Sequence, residues 1–193
     1  MPEISSPKKL YMVLLGCRPP GRFTEQHDIF FGIGNSMKDI VPQMIASWPE
    51  AKNKIHVDAF REVTSVEGYA IEIIEKIGEK ETGEDRLFFI NLGGYKPGEF
   101  EEFHYKMLTV AKTQSEAIRI SKQTAFYKHT GFSGAPSHID DKYGIDVDDI
   151  FQVNEILPAV YRDKYSIKIR KIQAPEDELF LGYFPLKKIL EEF

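Results

Sequence analysis

Apolar and polar positions alternate from Ile55 to Phe60. Ile55, Val57 and Ala59 share one face and His56, Asp58 and Phe60 the other, a period of two that predicts a half-buried strand. Upstream, Lys9 to Gly16 is a compact apolar run closed by a Pro20-Gly21 turn signal, which predicts a buried strand. Glu25 to Gly34 then places Ile29, Phe31 and Ile33 on one face, as expected of a second strand antiparallel to the first. Ser36 and Asp39 have the spacing of a capping box, and Ile40, Val41, Met44, Ile45 and Trp48 form one helical stripe that ends at Pro49. Gly68 to Ile74 reads as a fourth strand. Residues 1–77 therefore predict a β-β-α-β-β unit.

The same grammar returns seventy-seven positions later. Leu15-Gly16, Pro20-Gly21, Phe23, Glu25 and His27 recur as Leu92-Gly93, Pro97-Gly98, Phe100, Glu102 and His104, the pattern L-G-x-x-x-P-G-x-F-x-E-x-H. Thr113 and Glu116 repeat the capping box, and Ala117, Ile118, Ser121 and Ala125 give a thinner stripe. His138-Ile139-Asp140 aligns with His56-Val57-Asp58, and Tyr165 to Ile169 with Tyr69 to Ile73. Residues 78–85 form a charged, glycine-flanked linker, which sets a second, elaborated unit at 86–175. The tail, 176–193, carries a strand-like Leu179 to Phe184 and a short helix opened by Pro185. The expected class is α+β: a tandem duplication with mostly antiparallel sheets, one helix per unit, and the units packed as a pseudo-two-fold pair.

Composition narrows the function more than the fold. With 193 residues, 42% of them hydrophobic, the chain can bury a sizeable core. A net charge of -5 argues against a broad nucleic-acid or anionic-membrane footprint. The polar start shows no signal-peptide architecture and no run is long enough to cross a bilayer, so a cytoplasmic protein is expected. The single cysteine, Cys17, fits a reducing compartment.

The L-G-x-x-x-P-G opening with its E-x-H, the H-[VI]-D pairs and the later D-V-D-D-I-F resemble the domain-of-unknown-function family numbered 1543. That resemblance implies a two-copy architecture, a fused pseudo-dimer if single-copy relatives pair, and it lends no activity and no catalytic residues.

Candidate chemistry lies in the repeated polar pairs. On a strand, residues two apart point to one face. His27, His56 and Asp58 in one copy, with His104, His138 and Asp140 in the other, make two-histidine, one-carboxylate sets that suit a divalent metal. The reading the sequence favours is that these groups only fix paired sheets in a non-catalytic interaction or scaffold module, and the alternative is a metal- or small-molecule-binding protein, an enzyme among the options, with its site on them. Glu25 and Glu102 complete the polar motif, and Arg18, Arg22 and Lys96 could hold an anionic substrate, although Glu99 replaces Arg22 in the second copy. Cys17 is matched by Gly94, so that position chiefly wants a small residue. The run Asp146-Val147-Asp148-Asp149 could take a hard cation, but reads first as a solvated turn or the start of a helix over 150–157. Substrate, metal, enzymatic activity and oligomeric state stay open at this level.

Overall fold

The computed structural model describes residues 7–76, 83–95, 98–124 and 146–193. Among the described residues ten strands and five α-helices follow in order: β1 (Lys9–Cys17), β2 (Gln26–Gly34), α1 (Met37–Ser47), β3 (His56–Glu62), β4 (Ser65–Val66), β5 (Tyr69–Glu75), β6 (Arg86–Tyr95), β7 (Glu102–Ala111), α2 (Gln114–Thr124), β8 (Asp146–Gln152), α3 (Val153–Ile156), α4 (Ala159–Lys164), β9 (Tyr165–Lys171), β10 (Phe180–Pro185) and α5 (Leu186–Glu192). Every described strand pairing is antiparallel, so the chain is α+β as expected. Among the described residues no helix is long and apolar enough to cross a membrane.

The chain divides into two compact units, residues 1–81 with 157–193, and residues 82–156. This differs from the division expected at 175/176, because the segment from Leu157 onward groups with the first unit.

In the first unit a four-stranded sheet has the order β10-β3-β1-β2. Tyr11, Val13, Leu15 and Cys17 alternate along β1 and are buried with Met37, Ile40, Val41 and Met44 of α1, which is the stripe read from the sequence. Ile45 and Trp48 pack at its margin. Gln43 donates from Nε2 to the Ile33 carbonyl at 2.8 Å, so the helix satisfies part of the β2 edge. The Ser36 hydroxyl makes no capping bond; Asp39 instead accepts from the Asn35 N–H at 2.9 Å. On the far edge, Phe60 stacks on Phe180 at 4.6 Å and meets Phe184 and Phe193 edge-on, which seats β10 and the chain end on the sheet. Asp177 accepts from the Thr64 N–H at 3.0 Å, the Thr64 hydroxyl at 2.6 Å and the Ser65 N–H at 3.1 Å.

The fourth strand leaves that sheet. β5 turns back on β4 through Glu67 and Gly68, both at positive φ as a two-residue hairpin requires, and then pairs with β9. Glu72 stands opposite Lys168, the residue at the same place in the aligned Tyr165–Ile169 segment, so the β5–β9 ribbon has a local two-fold arrangement.

The second unit holds the sheet β7-β6-β8 with Phe88, Ile90 and Leu92 facing Ala111 and Ala117. Its capping box is formed from both sides. The Glu116 N–H donates to the Thr113 hydroxyl at 3.2 Å, and the Glu116 carboxylate accepts from the Lys112 N–H at 2.9 Å. The expected turn or helix start at 146–149 is instead strand β8, with the helix beginning only at Val153.

A ring of imidazoles and carboxylates on the first sheet

Gly16 pairs with His27 on one side and His56 on the other, so these three residues form one row across β2, β1 and β3. The two histidine-bearing strands are therefore not neighbours; at about 4.8 Å per strand step their backbones are about 10 Å apart. The side chains meet over the central strand because that strand has no side chain there. A Cβ on Gly16 would lie 2.3 Å from His56 Nε2 and 2.3 Å from Asp58 Oδ2. The repeated spacing of this Leu-Gly pair with the turn that follows hides two separate requirements. Gly21 is the residue that needs positive φ for the turn, and Gly16 is the one that must leave space.

Asp58 shares the histidine face because it stands two positions from His56 on β3. Leu14 pairs with Ala59 and Leu15 with Val57, so Asp58 is also the extra residue of a β-bulge. What the bulge changes is Phe60, which the alternation places with His56 and Asp58 but which is buried in the core with Val57.

The result is a ring in which imidazole and carboxylate alternate. His27 Nε2 lies 3.1 Å from Asp58 Oδ2, and His56 Nε2 lies 3.3 Å from Asp58 Oδ1. Glu25, in the loop before β2, closes the other side at 3.1 Å from His56 Nε2 and 3.8 Å from His27 Nε2. His56 is only 7% exposed and lies against the ring of Tyr183, centroid to centroid 4.4 Å. Despite these approaches, His56 Nε2 and Asp58 Oδ2 are buried and make no well-directed hydrogen bond among the described residues. Their lone-pair and N–H directions do not lie along the lines that join them.

The second unit repeats the frame with different chemistry. Gly93 pairs with His104 and Asp146, and the bulge falls between Asn91 and Leu92, which makes Asp148 the extra residue. Asp148 thus stands where Asp58 stands, and Asp146 holds the register of His56. A Cβ on Gly93 would lie 2.2 Å from Asp148 Oδ2. His104 Nε2 is 3.2 Å from Asp148 and 3.9 Å from Glu102, and these three residues bring one ligand atom each within 4.8 Å of one another. This set is tighter than the first ring, but it has one imidazole instead of two and nothing as buried as His56.

Of the residues singled out in the sequence, His27, His56, Asp58 and Glu25 are brought together, as are His104 and Glu102. His138, Asp140 and Lys96 lie outside the described residues. The alignment of His138-Ile139-Asp140 with His56-Val57-Asp58 is replaced by Asp146-Val147-Asp148, whose pairing and bulge match. From the sequence, Asp148 stands only in an acidic run that could take a hard cation and Gly16 only in the repeated Leu-Gly motif, and Tyr183 carries no signal at all. The signal for the first was present in the Val-Asp-x-apolar order shared by Val57-Asp58-Ala59-Phe60 and Val147-Asp148-Asp149-Ile150.

Arg18 and Arg22 line an open depression with Lys54, Phe23 and the Pro19-Pro20-Gly21 turn. Cys17 points into the core on the opposite face from Gly16; burial pushes its thiol up, the Glu25 carboxylate adds to this, and Lys54 opposes it. A buried, protonated thiol is a packing residue and a poor nucleophile.

A family model described as Domain of Unknown Function (DUF1543) matches residues 22–73, one region within the first unit. Among solved structures, the crystal structure of a protein Il1583 from Idiomarina loihiensis resembles this chain. It shares 26% identity and a TM-score of 0.59, over 93% of this chain and 97% of that one. No curated protein matches.

Proposed function

We propose that the first unit binds a divalent transition-metal cation through His27, His56, Asp58 and Glu25, and that the protein is a metal-dependent small-molecule-binding protein. The observation that carries this reading is the buried His56 Nε2, which is aimed among two carboxylates without a directed hydrogen bond to either. A scaffold role, in which the same groups merely tie strands together, calls for the reverse. Buried polar atoms that serve only structure are paired with good geometry, because leaving one unpaired costs about 1–3 kcal/mol.

Neighbouring imidazole and carboxylate atoms around the ring approach to 3.1–3.8 Å, each carboxylate through both of its oxygens. A cation bound through one atom of each side chain would draw them inward, toward the roughly 3.3–3.6 Å edges of a tetrahedral site with bonds of about 2.0–2.2 Å. Two imidazoles with carboxylates are a donor set for zinc or iron, and one or both carboxylates can yield a position to water or substrate. The second unit, read as a copy of the first, has lost an imidazole and gained an acid. Its affinity for a nitrogen-preferring cation is correspondingly lower.

Competition with a chromophoric chelator measures zinc affinity directly. Wild-type protein is expected to withdraw one equivalent, and His56→Ala or Asp58→Ala to withdraw far less. Equal uptake by all three would overturn the assignment.

A further inference from the structure

Three residues that line the depression each stand two positions from a member of the ring or its cradle: Arg18 from Gly16, Phe23 from Glu25, and Lys54 from His56. Two residues of extended chain span about 7 Å, so the depression adjoins the ring at the same end of the sheet. It is lined by three cations and no carboxylate, in a chain whose net charge is -5. None of the three has an ion pair among the described residues. The turn beneath them is fixed, since the Arg22 N–H donates to the Pro19 carbonyl at 3.2 Å and Gly21 takes φ +81°. Phe23 is 98% exposed beside them.

The second unit separates what the turn needs from what it does not. Gly98, also at φ +81°, and an exposed Phe100 are retained there, but Tyr95 stands at the place of Arg18 and Glu99 at that of Arg22. Gly98 therefore takes the turn conformation in a sequence without the arginines.

We infer that this depression binds the oxyanion end of a small organic substrate, a carboxylate or phosphate, whose apolar body lies on Phe23. The direction of its far end, toward the ring, rests on the metal-binding reading; the anion pocket itself is built from other residues. Arginine pairs give an oxyanion charge-assisted, bidentate partners, and an open, cation-lined mouth also concentrates anions before they dock.

The test is a calorimetric titration of chelator-treated protein with phenyl phosphate and with benzoate at low salt. Saturable binding of at least one probe is expected, and which one binds tells phosphate from carboxylate. The double variant Arg18→Tyr/Arg22→Glu, which installs the second unit's residues on an exposed loop, should bind about tenfold or more weakly. Binding should also fall sharply at about 1 M salt, where the screening length is about 3 Å. No saturable binding of either probe, or unchanged affinity in the variant, would overturn the inference. Anion binding in a protein that takes up no zinc would defeat the metal reading alone, and zinc uptake without anion binding would defeat this one alone.

Discussion

Gly16 and His56 face each other across β1 and β3, and the absent side chain of the first is the space that the second occupies, since a Cβ on Gly16 would come within 2.3 Å of His56 Nε2. The pairing explains why a glycine interrupts a strand that is otherwise continuously apolar. It also makes the ring sensitive to a single methyl group.

Gly16→Ala is accordingly expected to spare the fold and lose the site. Its backbone is not in the left-handed region, so the strand itself accepts alanine, but His56 and Asp58 must both move. Zinc affinity should fall about 10–100-fold, the range seen when groups that position ligands are disturbed. Gly93→Ala, whose methyl meets Asp148 first, should leave the affinity of the first unit unchanged.

Cys17 should resist alkylation. Its thiol is buried and pushed above the ordinary range, so at pH 8 iodoacetamide should modify the folded protein far more slowly than the urea-unfolded chain. Rapid native-state modification would show that the cysteine is reachable and ionised.

Stability should decline in alkali. Tyr11 is pushed up to about 12 from 10.0, chiefly by burial and then by the Glu62 and Asp39 charges. The stability contributed by its neutral phenol is fully present below pH 10 and is lost as pH rises through about 12, because only the unfolded chain ionises in that window. Urea midpoints for wild type and Tyr11→Phe should diverge over that interval, with the variant declining less.

The aromatic cluster that seats the chain end should dominate local stability. Phe60→Ala removes a ring that touches Phe180, Phe184 and Phe193, and should cost about 3–5 kcal/mol in chemical denaturation. Asp177→Ala, which releases the Thr64–Ser65 turn, should cost about 1–2 kcal/mol.

Much of the sheet was legible in the chain. The alternation at 55–58, the apolar run at 9–16 and the stripe of α1 each follow from burying one face of one element, and periodicity reports that directly; Phe60, expected beside His56 and Asp58, is instead in the core. His56 and Asp58 were legible for the same reason, as a pair sharing a strand face, and Glu25 and His27 as a repeated pair at a strand entrance. What periodicity does not carry is register between strands. The bulge at Asp58 inserts one residue, and so does that at Asp148; matching on the identity of a histidine drew the second copy to 138–140, when matching on the Val-Asp step would have drawn it to 147–148. The partner of β5 was likewise invisible. Nothing in Tyr69–Ile73 or Tyr165–Ile169 says that these two like segments will pair with each other, as β5 and β9 do.

The central claim is that the ring of His27, His56, Asp58 and Glu25 holds a metal, and zinc retention tests it most directly. Untagged protein is equilibrated with zinc, passed through a desalting column and analysed for metal alongside His27→Ala/His56→Ala and His104→Ala. About one zinc per chain is expected in wild type and in His104→Ala, with little in the double variant. Full retention by the double variant, or none by the wild type, would contradict the account.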